Sequence, residues 1–226
     1  MPTRTPILAG LGIVIVVALA LLVSLDATDA FDRQVMEVVR SGGPTGPLAI
    51  LDPITELGST AAVTAIAALC LAIGALIGPW RHGVIAAALI GLTALGVEVV
   101  KATIARERPE ILEPILVERG FSFPSGHATL SMTAYGVLTV LIWRSRLPEA
   151  AKLAVTAVVA GVVFAVGVSR VWFGVHHPTD VLAGWIVVGV IVLLFADLTR
   201  GVSREPAAVA VDVDRGAQRS DPPAVG

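Results

Sequence analysis

Six apolar stretches of spanning or near-spanning length dominate this chain: Ile7–Leu25, Thr60–Ile77, Val84–Ile104, His127–Trp143, Leu153–Val168 and Val181–Leu198. A lipid-embedded segment can satisfy its own backbone only as a helix or as part of a closed barrel, and runs of this length have helical dimensions. With 55% hydrophobic and 15% charged residues over 226 positions, a soluble domain could not hide this much apolar surface. The prediction is therefore an all-α fold, a bundle of six transmembrane helices. The stretches are rich in Ala, Val, Gly and Leu, and small residues let membrane helices approach closely. The formal net charge of −2 gives no footprint for nucleic acid. The single cysteine, Cys70, excludes an intrachain disulfide or a thiolate metal centre, and no metal-ligand cluster stands out.

The connections divide by charge. Arg4, Arg81, the Arg144–Lys152 loop, Arg200 and Arg204 flank one set of span ends. Lys/Arg bias places that set, and both termini, in the cytoplasm. The loops Asp26–Ser59, Ala105–Gly126 and Val171–Asp180 then lie outside. Ile7–Leu25 follows Arg4 but lacks a small-x-small cleavage site, so it is expected to be a retained first helix. Asp29–Arg40 reads as a short interfacial helix between the first two spans, with Phe31, Val35, Val38 and Val39 on one face. Residues 1–200 are expected to form one integral membrane domain. Residues 201–226, rich in Ala, Pro, Asp and Arg without periodicity, are expected to be a disordered cytoplasmic tail.

Three polar segments interrupt this apolar frame on the outer side. The first holds Lys101 and Arg108, followed by Pro109. If the third span continued that far, the two cations would share a helical face. A pair of cations suits a phosphate, although basic residues also flank membrane boundaries in general. Glu98, one turn before Lys101, is most simply its ion-pair partner. The second is Pro124-Ser125-Gly126-His127, which opens a span. Ser125 can cap that helix, Gly126 lets a ligand approach the backbone, and the helix N-terminus favours an anion. His127 in the first turn could donate a proton, and the same four residues would also serve a plain capped start. The third contains Ser169, Arg170, His176, His177, Pro178 and Asp180. Pro178 suits a first helical turn. An aspartate four residues after His176 can hold one imidazole nitrogen and leave the other free to attack. His177 reads as a neighbour, and His82, on the other side, needs no function.

Jointly, the segments follow the pattern K-x6-R-P, P-S-G-H, S-R-x5-H-x3-D. This resembles the type 2 phosphatidic acid phosphatase superfamily, in particular its bacterial membrane branch, over roughly Thr45 to Leu198. The resemblance implies a metal-independent lipid phosphatase, without a cofactor, that works through a phosphohistidine. His176 would be the nucleophile, Asp180 its orienting partner and His127 the acid for the leaving oxygen. Lys101, Arg108 and Arg170, with Ser125 and the Gly126 backbone, would bind the phosphoryl oxygens. The expected location is a bacterial cytoplasmic membrane with the site on the extracytoplasmic face. The partners are then the bilayer and a lipid phosphate, first an undecaprenyl-type isoprenoid pyrophosphate. Phosphatidylglycerol phosphate, phosphatidic acid and phosphotransfer to an alcohol are the alternatives. A non-catalytic binder would not need a nucleophile with an orienter and an acid.

Overall fold

A computed structural model describes residues 5–42, 48–77, 79–110, 116 and 118–202. Among them there are helices and no strands. The helices are α1 (Thr5–Ser24), α2 (Asp29–Arg40), α3 (Leu48–Glu56), α4 (Thr60–Ile77), α5 (Trp80–Ile104), α6 (Gly126–Arg144), α7 (Glu149–Trp172) and α8 (Pro178–Val202). Each apolar stretch is the body of one helix, and Asp29–Arg40 is α2. The tail beyond Val202 lies outside the described residues.

One added helix and one helix end differ from expectation. The segment before α4, read as loop, contains α3, with Pro53 inside it. And α5 stops at Ile104, where Ala105 turns left-handed at φ 51° and its N–H bonds back to the Lys101 carbonyl. Lys101 and Arg108 therefore do not share a helical face. Arg108 sits on the chain beyond the helix.

On length and composition, α1, α5, α7 and α8 are each able to cross a membrane, and α3 with α4 makes a fifth crossing if the pair, bent by 49°, is one span. α6 is not among them, for a physical reason. It packs against α4, α5, α7 and α8, so it meets protein on most sides and can carry polar residues. Thr129, Ser131 and Thr133 are buried, and each hydroxyl bonds to a carbonyl of its own helix or cap, at 2.6, 3.2 and 2.9 Å. Gly184 on α8 permits a close approach to α6. A Cβ there would lie 2.3 Å from the Thr129 hydroxyl. The main apolar core lies around α6 and joins Val63, Ile90, Val137, Leu141 and Phe195. The chain is an integral membrane protein.

Candidate active site

The C-terminal ends of α5 and α7 meet the N-terminal ends of α6 and α8, and this end of the bundle gathers the three polar segments. The backbone ties them together. The Ser125 N–H bonds to the Asp180 carbonyl at 3.1 Å, joining the starts of α6 and α8. The Ser122 N–H and hydroxyl bond to the Arg106 and Glu107 carbonyls at 2.8 and 2.9 Å. After α7 the chain folds over Gly174, at φ 73°, and the Val175 and His176 N–H groups return to the Arg170 carbonyl.

His176 and Asp180 are both fully buried. Asp180 Oδ2 lies 3.4 Å from His176 Nδ1 and accepts the His177 N–H at 2.9 Å. The other imidazole nitrogen, Nε2, faces Arg108 Nη1 at 3.3 Å. Arg108 is aimed by the Val175 and Gly120 carbonyls at 2.7 and 3.0 Å. Arg170, in the last turn of α7, donates to the Thr55 hydroxyl at 2.7 Å, so the helix missed from sequence holds one of the cations. Lys101 pairs with Glu98 at 3.5 Å, as the spacing suggested. It reaches the start of α6, where a Cβ on Gly126 would lie 3.7 Å from its ammonium. Ser125 takes the N-cap position of α6 without capping it. Its hydroxyl is buried and has no hydrogen-bond partner among the described residues. His127 lies within electrostatic reach of Arg170, His176 and Lys101. It packs under the bend between α3 and α4, where a Cβ on Gly58 would come within 3.2 Å of its ring. All eight candidate residues thus share one end of the fold.

Three further groups belong to the site and carried no motif signal. Glu118 occupies its centre, bonded to Arg170 and 3.0 Å from Arg108, with its carboxylate 3.8 Å from His176 Nε2. Burial opposes its ionisation, but Arg170, His176 and Arg108 outweigh this and hold its pKa below the usual carboxylate value. Arg106 and Asp32 lie behind Asp180. Only the folded chain could reveal them, because Asp32 is 148 positions before Asp180 in the sequence (180 − 32). Burial lowers the pKa of His176; the Asp180 contact opposes this and the charges of Arg108 and Arg170 reinforce it, so the imidazole titrates below its ordinary value. Beside the site opens a cavity of about 980 Å³, lined in part by Arg33, Met36, Arg40, Arg108 and His177.

Residues 82–202 match the pattern described as the PAP2 superfamily. The chain belongs to the PAP2 superfamily. Relatives agree with that membership. This PAP2 chain is 34% identical over 141 residues to phosphatidylglycerophosphatase B of Bacillus subtilis, covering 60% of this chain and 67% of that protein. It is 34% identical over 97 residues to an undecaprenyl-diphosphatase of Sulfolobus acidocaldarius, covering 40% and 42%. In three dimensions it resembles the crystal structure of a transmembrane PAP2-type phosphatidylglycerolphosphate phosphatase from Bacillus subtilis, with a TM-score of 0.77, 24% identity, and coverage of 90% of this chain and all of that one. A second likeness is to Aquifex aeolicus LpxE, with a TM-score of 0.53 and 21% identity over 73% of this chain and 93% of that one. These two likenesses speak for the fold.

Proposed function

We propose that this PAP2-type lipid phosphatase cleaves a lipid phosphate or pyrophosphate through a phosphohistidine on His176, at the extracytoplasmic face of the membrane. One observation carries the reading. His176 turns Nδ1 to Asp180 and Nε2 to the point where Arg108 and Arg170 already hold an anion, the Glu118 carboxylate. A phosphoryl group in that place would meet the nucleophile and its charge partners together.

In the first step Nε2 bonds to phosphorus and the bond from phosphorus to the lipid-side oxygen breaks, His127 giving that oxygen its proton. In the second, His127 takes a proton from water, whose oxygen bonds to phosphorus as the P–N bond breaks. Asp180 keeps the imidazole aligned and compensates its developing charge. Lys101, Arg108 and Arg170, with the Ser125 hydroxyl and the N-terminus of α6 at Gly126, neutralise the equatorial oxygens. Phosphoryl transfer asks mainly for such positioning and neutralisation, so no divalent ion is required in this scheme.

The orientation rests on charge. Arg81, Arg144, Lys152 and Arg200 lie at the helix ends opposite the motifs, and Arg144 bonds to the Thr199 hydroxyl near the end of α8. With those ends inside, α1, α4, α5, α6, α7 and α8 make six crossings, α2 lies at the interface, and both termini are cytoplasmic. An outward site suits an undecaprenyl-type pyrophosphate, the first candidate. The longer match to phosphatidylglycerophosphatase B favours phosphatidylglycerol phosphate as the second. The test compares prenyl pyrophosphates with glycerophospholipid phosphates on purified protein in detergent. An acid-labile phosphoenzyme should form, His176→Ala should abolish it, vanadate should inhibit, and turnover should survive EDTA. Turnover lost on chelation and restored only by a divalent ion would refute the scheme.

A further inference from the structure

Asp180 carries an arrangement that its role as orienter does not by itself require. Its two oxygens have separate duties. Oδ2 faces His176 and accepts the His177 N–H, while Oδ1 accepts Arg106 Nη1 at 2.7 Å. The same guanidinium nitrogen reaches the Thr179 hydroxyl at 2.8 Å. Its other terminal nitrogen bonds to Asp32 at 2.8 Å and to the Thr28 hydroxyl at 3.2 Å. Asp32 is fully buried. It accepts the Thr179 N–H at 2.9 Å and the Thr179 hydroxyl at 2.7 Å, and so caps the first turn of α8 from a different helix.

We propose that Arg106 and Asp32 form a positioning pair that fixes the rotation of Asp180 and thereby the tautomer of His176, making α2 a working part of the catalytic apparatus. The inference rests on the phosphohistidine reading. Held on Oδ2 only, by His176 and the His177 N–H, the buried carboxylate could still turn about its Cβ–Cγ bond. With Oδ1 taken by an arginine fork, Oδ2 is the oxygen left for Nδ1–H, and the lone pair stays on Nε2. An arginine suits this place because its planar, permanently charged group can bridge two carboxylates at once, which a lysine does poorly. Arg106 is no phosphate ligand. Both its terminal nitrogens are spent on carboxylates, and it approaches Asp180 through the oxygen turned away from His176. Arg108, two residues on, makes the contrast, lying 3.3 Å from Nε2. The pair also explains how α2 is pinned to the start of α8.

The experiment uses the full-length protein in detergent and reads kinetics and the histidine ring separately. Losing the orientation of a catalytic imidazole costs up to about 10⁴ in kcat. Arg106→Ala should therefore lower kcat by about 100-fold or more and change KM by less than about 3-fold. Asp32→Asn, which preserves shape, should lower kcat by about 10-fold, and Arg106→Lys should recover part of the loss of Arg106→Ala. In protein labelled with ¹⁵N-histidine, the His176 resonances, assigned by their loss in His176→Gln, should report the Nδ1–H form in the parent and a mixture of tautomers in Arg106→Ala and Asp32→Asn. A raised KM at parental kcat, or an unchanged His176 tautomer in the folded Asp32→Asn protein, would overturn the proposal. Should His176→Ala turn over substrate, the phosphohistidine reading would fall, while the ring resonances would still judge whether Arg106 holds Asp180.

Discussion

At the scale of single residues, the proposed scheme needs His176 to be neutral among cations. Burial lowers the pKa of His176, opposed by the Asp180 contact and reinforced by Arg108 and Arg170. In the proposed scheme the free base is the attacking form, and it prevails above the lowered pKa. The acid limb of kcat should therefore fall below about pH 6.5, the ordinary histidine value, and a kcat profile across that region checks it. The stability contribution has the same sign. The unfolded chain binds a proton at His176 that the folded one resists, so this contribution is present above the ordinary value and is lost as pH falls through the lowered one. Glu118 raises a second point. In the proposed scheme its carboxylate occupies the place a phosphoryl group needs, so a substrate or vanadate would have to displace it. Glu118→Gln removes that charge and should tighten vanadate inhibition by several-fold. Weaker inhibition would mean instead that Glu118 supports the anion site, and an inhibition titration separates the two.

At the scale of elements, α6 is the helix on which α4, α5, α7 and α8 converge, and its contact with α8 leaves no room for a side chain at position 184. Gly184→Val would push into Thr129, and overpacking of this kind costs about 1–3 kcal/mol. Thermal unfolding in detergent should register a lowered midpoint. Gly161→Ala on α7, where a Cβ meets nothing within 4 Å, should leave the midpoint unchanged or raise it, because alanine is the better helix former. A short helix can matter as much as a spanning one. Through Thr55, α3 holds Arg170, and through the Leu57 carbonyl the same bend receives the Tyr135 hydroxyl at 3.0 Å. Loops thus do not carry this site alone; helix ends aim most of its groups.

For the whole molecule, the question is which end faces outward. A site near headgroup level lets a lipid present its phosphate while its tail stays in the bilayer, which avoids exposing apolar surface to water. In a Cys70→Ala background, single cysteines at Glu110 or Arg119 should react with an impermeant maleimide added to intact cells. Single cysteines at Arg146 or Glu149 should react only after permeabilisation. The reverse pattern would place the site in the cytoplasm and remove the preference for an outer-leaflet lipid.

Sequence alone determined the helical frame, because apolar runs of this length admit few other forms in a membrane. It also made the candidate site residues legible, because His176, Asp180, Arg170 and the Pro124–His127 turn are local arrangements whose spacing follows from one helix start or one turn. Tertiary structure decided the rest. The end of α5 at Ile104 depended on a left-handed Ala105, and local propensity does not demand that conformation, so the expected shared face of Lys101 and Arg108 was replaced by a chain that turns back to the site. The polar α6 could be central only because four helices cover it. Asp32, Thr55 and Glu118 had no signal in sequence, since a buried carboxylate or hydroxyl acquires its meaning from the partner that packing brings to it across many turns of chain.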